Sequence, residues 1–249
     1  MKTKVYKMKI FRYEMTDSTN TRAREYAKSE NPTLPAVFIA DGQSAGRGRR
    51  GRSFDSECGS GLYISFLFKP HGVARDAVRI TLRAAVALSR ALSRVCGLNT
   101  EIKWVNDILV GGKKLAGILT EGEIDSNGRL EYAVCGIGVN LNSRTFPPEL
   151  TGIATTVEDS TGARPDREAL VEALISEFFS DTDDSEIMEE YRRLSAVIGK
   201  SVEVHKLTGE VFSATAIAIT DGGELVVEDG YGRRESLISA EVSLKLNRL

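Results

Sequence analysis

The chain has 249 residues, with 33 Lys or Arg against 35 Asp or Glu, so its net charge at neutral pH is -2. Hydrophobic residues make up 41% and charged residues 27%, the balance of a globular chain with one large domain, or one large and one small. That balance excludes a generally basic nucleic-acid binder and a highly charged disordered protein.

The Asp17-Ser18-Thr19-Asn20 stretch supplies helix N-cap residues, and Ala23, Tyr26 and Ala27 then recur at helical spacing, which predicts a short helix over 21–29. Pro32 and Pro35 force a turn, and the apolar run 36–40 predicts a buried strand. Residues 41–61 form a long polar loop rich in Gly and Arg, of a length that usually serves a function. Leu62, Ile64, Phe66 and Phe68 alternate as in a strand with one face in the core. A wide apolar stripe from Ile80 to Val95 predicts a long helix over 76–95. Strand pieces follow at 101–103 and 108–110, a Gly111-Gly112 hairpin, then strands 114–123 and 129–138 around an Asp-Ser-Asn-Gly turn. Helices are predicted over 166–179 and 187–194. After Gly199, short apolar runs punctuated by Gly pairs predict an all-β, barrel-like module. The class is α+β, divided into 1–198 and 199–249.

No apolar run reaches membrane-spanning length, and the first residues lack the apolar core of a signal peptide; no membrane role and a cytoplasmic location are expected. Cys58, Cys96 and Cys135 are odd in number, far apart and without CxxC spacing, which argues against disulfides and zinc. His71 and His205 have no ligand-like neighbours at metal spacing.

Four stretches carry chemistry. Gly46-Arg47-Gly48-Arg49-Arg50-Gly51-Arg52 combines close backbone approach with planar cationic forks, a combination suited to a polyphosphate or carboxylate. Its bland alternatives are a solvated loop or an RNA-binding Arg-Gly segment. Lys103-Trp104-Val105-Asn106-Asp107 places the one tryptophan between a cation and an Asn-Asp pair; a strand end with Trp104 in the core is the plain reading. Lys114-Leu-Ala-Gly117-Ile-Leu and Gly136-Ile-Gly-Val-Asn140 put glycines inside strands, where glycine is costly unless something must come close. A solvent lysine and simple bulges are the alternatives there.

Taken together and in this order, with Gln43 ahead of the Arg-Gly loop, these motifs resemble the biotin protein ligase family over nearly the whole chain. Val105 stands where a proline is common in that family, and Phe54 where a tryptophan is common. The resemblance implies a class II synthetase-like catalytic fold, a mixed or antiparallel central sheet with flanking helices, followed by a small SH3-like barrel. It implies ATP and biotin as substrates with Mg2+, formation of biotinyl-AMP, and transfer to a lysine of a biotin carboxyl carrier domain. By resemblance, Lys114, Arg49, Lys103 and Asp107 are catalytic, with Lys114 at the junction of biotin carboxylate and α-phosphate. Ser18, Thr19, Asn20 and Gln43 would bind the biotin head group. Gly46, Arg47, Gly48 and Arg49 would close over biotin and adenylate, while Gly117 and Gly136 leave room for the ring. Arg50 and Arg52 would meet the outer phosphates, Phe54 would stack near adenine, and Lys103, Asn106 and Asn140 would sit by the nucleotide. Asp107 would also position or deprotonate the acceptor amine. The resemblance names no metal ligands. It also implies a loop, 44–59, that orders on ligand binding.

Relatives often dimerise through the central sheet, and exposed strand edges permit it. Sixteen residues precede Asp17, too few for a helix-turn-helix, so no sequence-specific DNA binding is expected. The nearest rival is a lipoate-protein ligase of the same mechanism; a non-catalytic RNA-binding protein is the rival of another class.

Overall fold

The computed structural model describes residues 8–70, 77–238 and 240–244. His71 lies outside the described residues. Strand β1 (Lys9–Thr16), helix α1 (Thr19–Ala27), β2 (Ala36–Gln43) and β3 (Gly61–Phe68) open the fold. Helix α2 (Ala77–Cys96), β4 (Glu101–Lys103), β5 (Asp107–Val110), β6 (Lys113–Ile124) and β7 (Leu130–Asn140) follow. Their strands form one seven-stranded sheet in the order β1-β2-β3-β7-β6-β5-β4. β1 and β2 are parallel because α1 crosses over between them; the other described ladders are antiparallel and closed by shorter connections or by α2.

Both faces of the sheet centre are covered. Val37 and Ile39 face the α2 core, while Ala36 and Phe38 face a second cluster under α1. Phe38 stacks on Phe11 at 4.7 Å and tilts against Tyr26. Burial on both sides is why 36–40 reads as an unbroken apolar run. α2 buries Ala84, Ala85, Leu88, Ala91 and Leu92, and α4 (Arg167–Phe178) and α5 (Asp184–Arg193) pack on it. Asp166 and Asp183 cap α4 and α5 by accepting from Ala169 and Ser185 N–H. Phe178 of α4 stacks on Phe66 of β3 at 4.2 Å. Two elements were not expected: β1, and the short α3 (Val157–Thr161), which Thr156 caps. α1 starts two residues before its expected position.

The C-terminal residues form β8 (Ser201–Lys206), β9 (Val211–Ile219), β10 (Leu225–Glu228), β11 (Arg234–Leu237) and β12 (Ala240–Leu244). They make a separate antiparallel sheet ordered β11-β10-β9-β8-β12. Val202, Val204, Ala216 and Leu225 belong to the same buried cluster as α2, so the two units share a core. The Trp104 indole N–H donates to Gly223 O at 2.9 Å, and Arg192 Nε to Ile219 O at 2.8 Å, fixing that seat. Among the described residues, no helix is long and apolar enough to cross a membrane.

Candidate active site: an arginine flap over a glycine floor

The floor is the α1-side face of β6 and β7. Gly117 and Gly138 are partners in register, and Gly136 lies opposite Ser65 of β3. Ile118, Ile137 and Val139 point the other way, into the core. Each floor glycine has a side chain packed close to where its own Cβ would be. A Cβ on Gly138 would stand 2.6–3.0 Å from the Phe54 ring, and one on Gly117 would meet Phe54 at 3.2 Å and Lys114 Nζ at 3.3 Å. A Cβ on Gly136 would collide with Asn20 Oδ1. The close approach that strand glycine signals is therefore made here by Phe54, Lys114 and Asn20.

One wall is the start of α1. Ser18 is its N-cap residue, but its hydroxyl makes no capping bond. The first turn is served from β2 instead: Thr19 N–H donates to Gln43 Oε1 at 2.8 Å. That borrowed acceptor lets the helix begin at Thr19 and holds Thr19 and Asn20 almost fully buried. Ser65 Oγ lies 2.7 Å from both Thr19 Oγ1 and Asn20 Oδ1. Asn20 Nδ2 donates to Glu121 Oε2 at 2.9 Å.

The flap is residues 44–60. Ala45 N–H donates to Asp17 O, Phe54 N–H to Gly46 O and Gly48 N–H to Arg52 O, which closes the Arg-Gly segment into a narrow excursion. A short 3-10 turn, Arg49–Gly51, forms its tip. Arg47 reaches Glu121 at 2.9 Å, and Arg49 donates to Asn106 Oδ1 at 3.0 Å. Arg52 forks onto Glu241 of β12 at 2.5 and 2.9 Å; Arg50 lies 3.6 Å from the same carboxylate and donates to His205 O. Arg144 clasps the far stem through Asp55 at 2.9 Å. Burial pushes the Arg49 guanidinium below its ordinary value, with Arg50 beside it adding to the effect. The Arg52 hydrogen bond holds the Glu241 carboxyl below the usual range.

The opposite wall is the β4–β5 hairpin. Asp107 Oδ1 sits 2.7 Å from Lys114 Nζ, and Asn106 Nδ2 donates to Ile118 O at 3.0 Å. Trp104 is buried, as its plain reading expects, yet it also lines the cleft. The Trp104–Val105 peptide is cis.

The structure thus brings Ser18, Thr19, Asn20, Gln43, Arg47, Gly48, Arg49, Arg50, Arg52, Phe54, Lys103, Asn106, Asp107, Lys114, Gly117 and Gly136 around one cleft. It does not bring Gly46 or Asn140 to the lining. Gly46 is wedged against Phe54 O and Ser56 Oγ, and buried Asn140 donates to Thr155 O at 3.2 Å. Sequence reasoning missed Gly138, Ser65, Glu121 and the β12 residues Ala240, Glu241 and Val242. Gly138 carried a signal, the second glycine of Gly136-Ile-Gly; the others carried none. Among the described residues, no group of three or more His, Cys, Asp or Glu is placed to hold a metal ion.

Chemically the cleft has two ends. Near α1 it offers neutral donors and acceptors on buried side chains. Near the flap it offers one ammonium and several guanidinium forks. Such a cleft suits a ligand with an uncharged polar head and an anionic end.

A family profile described as the biotin/lipoate A/B protein ligase family matches residues 13–140, and one described as the biotin protein ligase C-terminal domain matches 197–245. The bifunctional ligase/repressor BirA of Bacillus subtilis (strain 168) is 32% identical over 252 residues, covering 98% of this chain and 76% of its own. The biotin--[acetyl-CoA-carboxylase] ligase of Paracoccus denitrificans is 37% identical over 168 residues, 66% of this chain and 68% of its own. The solved structure of an Aquifex aeolicus biotin protein ligase in complex with biotin and ATP superposes with a TM-score of 0.79 at 25% identity, covering 95% of this chain and 98% of that one.

Proposed function

The chain belongs to the biotin/lipoate A/B protein ligase family and is a biotin protein ligase; from that premise we propose how its own residues carry out a two-step acyl transfer onto a carrier lysine. In the first step an oxygen of the biotin carboxylate attacks the α-phosphorus of ATP. The bond from the α-phosphorus to the bridging oxygen breaks, and pyrophosphate leaves. In the second, the amine of a lysine on a biotin carboxyl carrier domain attacks the acyl carbon, the bond to AMP breaks, and the amine gives up a proton.

Both steps develop negative charge on oxygen, and the convergence of Lys114, Arg47, Arg49, Arg50 and Arg52 on one cleft is the observation that carries this reading. A unit charge pair at about 4 Å is worth roughly 4 kcal/mol at an effective dielectric near 20, so one well-placed cation alters rate by orders of magnitude. Lys114 projects at the floor beside Asp107, where the carboxylate would meet the α-phosphate. Arg49 and Lys103 would face the nucleotide phosphates, and Arg50 and Arg52 the outer ones. Ser18, Thr19, Asn20 and Gln43 would take the ureido head by neutral hydrogen bonds. Asp107, next to Lys114, would take the proton of the incoming amine. The carboxylates lining the cleft, Asp107 and Glu241, are each paired with a cation. Magnesium would therefore enter on the triphosphate, as part of the nucleotide substrate. The flap would cover the mixed anhydride and keep water from it.

The test is incubation with biotin, ATP, magnesium and a carrier domain, read by mass. The carrier gains the mass of one biotinyl group, and Lys114→Ala slows this at least about 100-fold. An unchanged rate in Lys114→Ala overturns the mechanism.

A further inference from the structure

Glu121 lies on β6 beyond the motif residues and only 21% of its side chain is exposed. Its two oxygens serve two different parts of the cleft. Oε2 accepts from Asn20 Nδ2 at 2.9 Å, and Oε1 pairs with Arg47 Nη2 at 2.9 Å, with Arg24 farther off at 3.8 Å. An amide has a donor end and an acceptor end. With Nδ2 held by Glu121 and, at 3.4 Å, by Leu119 O, Asn20 must turn Oδ1 toward Ser65 and the space above Gly136. The same carboxylate ties the flap, through Arg47, to the wall that carries Asn20.

We propose that Glu121 is a positioning residue that sets which end of the Asn20 amide meets the ligand and couples that orientation to flap closure. The proposal rests on the biotin reading of the cleft and deepens it. A neutral ureido ring presents N–H groups, and a fixed Asn20 Oδ1 is the acceptor for one of them. Without Glu121 the Nδ2 end keeps only its 3.4 Å contact with Leu119 O, so the amide turns over more readily and presents a donor to a donor. Arg47 loses its anchor at the same time, so head-group recognition and closure weaken together.

The experiment compares full-length Glu121→Ala and Glu121→Gln with the unaltered chain. Biotin-dependent exchange of pyrophosphate into ATP gives KM for biotin and kcat; trypsin cleavage within 47–52 reports the flap. Glu121→Ala removes both contacts: KM for biotin rises about tenfold while kcat changes less than about threefold, and cleavage is about tenfold faster. Glu121→Gln keeps an acceptor for Asn20 but no charge for Arg47: KM stays within about threefold and cleavage still accelerates. A Glu121→Ala enzyme with unaltered KM overturns the proposal, and so does a Glu121→Gln flap cleaved at the original rate. Should Glu121→Ala fail to fold, the nearly isosteric Glu121→Gln still decides. If the unaltered chain shows no biotin-dependent exchange, the biotin reading fails instead, and the cleavage comparison still judges the Arg47 anchor.

Discussion

Gly136 shows what a missing atom does. Its Cβ position is taken by Asn20 Oδ1, which accepts from Ser65 Oγ while Asn20 Nδ2 donates to Glu121. Gly136→Ala would drive the amide off both partners. Steady-state assays should show KM for biotin raised about tenfold or more, with a smaller effect on kcat; an unaltered KM would mean that Asn20 plays no part in binding. Glycine inside a strand was readable in the sequence as a demand for close approach, and so were the Arg-Gly loop and Lys-Trp-Val-Asn-Asp, because each is local. Glu121 and Ser65 were not readable. Their importance comes from Asn20, 101 and 45 positions away, and neither residue type is unusual in a strand. Gln43 was read as a ligand contact, while its service to the α1 backbone, 24 positions back, had no local trace.

At the scale of elements, strong periodicity and capping chemistry were the dependable signals. α2 appeared within a residue of its expected bounds because its stripe is long and its stops are clear. β1 escaped because its alternating residues are mostly exposed or half-exposed, with Lys, Arg and Glu among the apolar ones; the strand is defined by its partner β2 more than by its own pattern. The helical layer invites a test independent of catalysis. Asp166 accepts the Ala169 N–H at 3.0 Å at the start of α4, on the far side of the sheet from the cleft floor. Asp166→Ala should lower unfolding free energy by about 1 kcal/mol in urea titrations and leave kcat for adenylation unaltered. A loss of kcat without loss of stability would contradict that placement.

For the whole molecule, the feature least visible in sequence was the use of the C-terminal sheet. It reaches back to the larger unit at Trp104 and at Glu241, where Arg50 and Arg52 of the flap converge. Arg52 depresses the Glu241 carboxyl below its ordinary 4.5, so this clasp contributes fully above that pH and is lost as pH falls through the lowered value. Partial exposure limits its worth to about 1 kcal/mol or less. The melting-temperature advantage of the unaltered chain over Glu241→Gln should then be flat from pH 7 to about 4.5 and vanish below it. An advantage that faded between pH 7 and 5 would assign the effect to another group. The indole of Trp104 has a consequence of its own. It is the only one in the chain, it borders the cleft, and its N–H is bonded to the second unit. Fluorescence excited at the red edge of the ultraviolet therefore comes from one spot in the whole chain, where a ligand arriving on one side and a neighbour loosening on the other both alter the emission. The molecule carries its own optical gauge, with no label to attach.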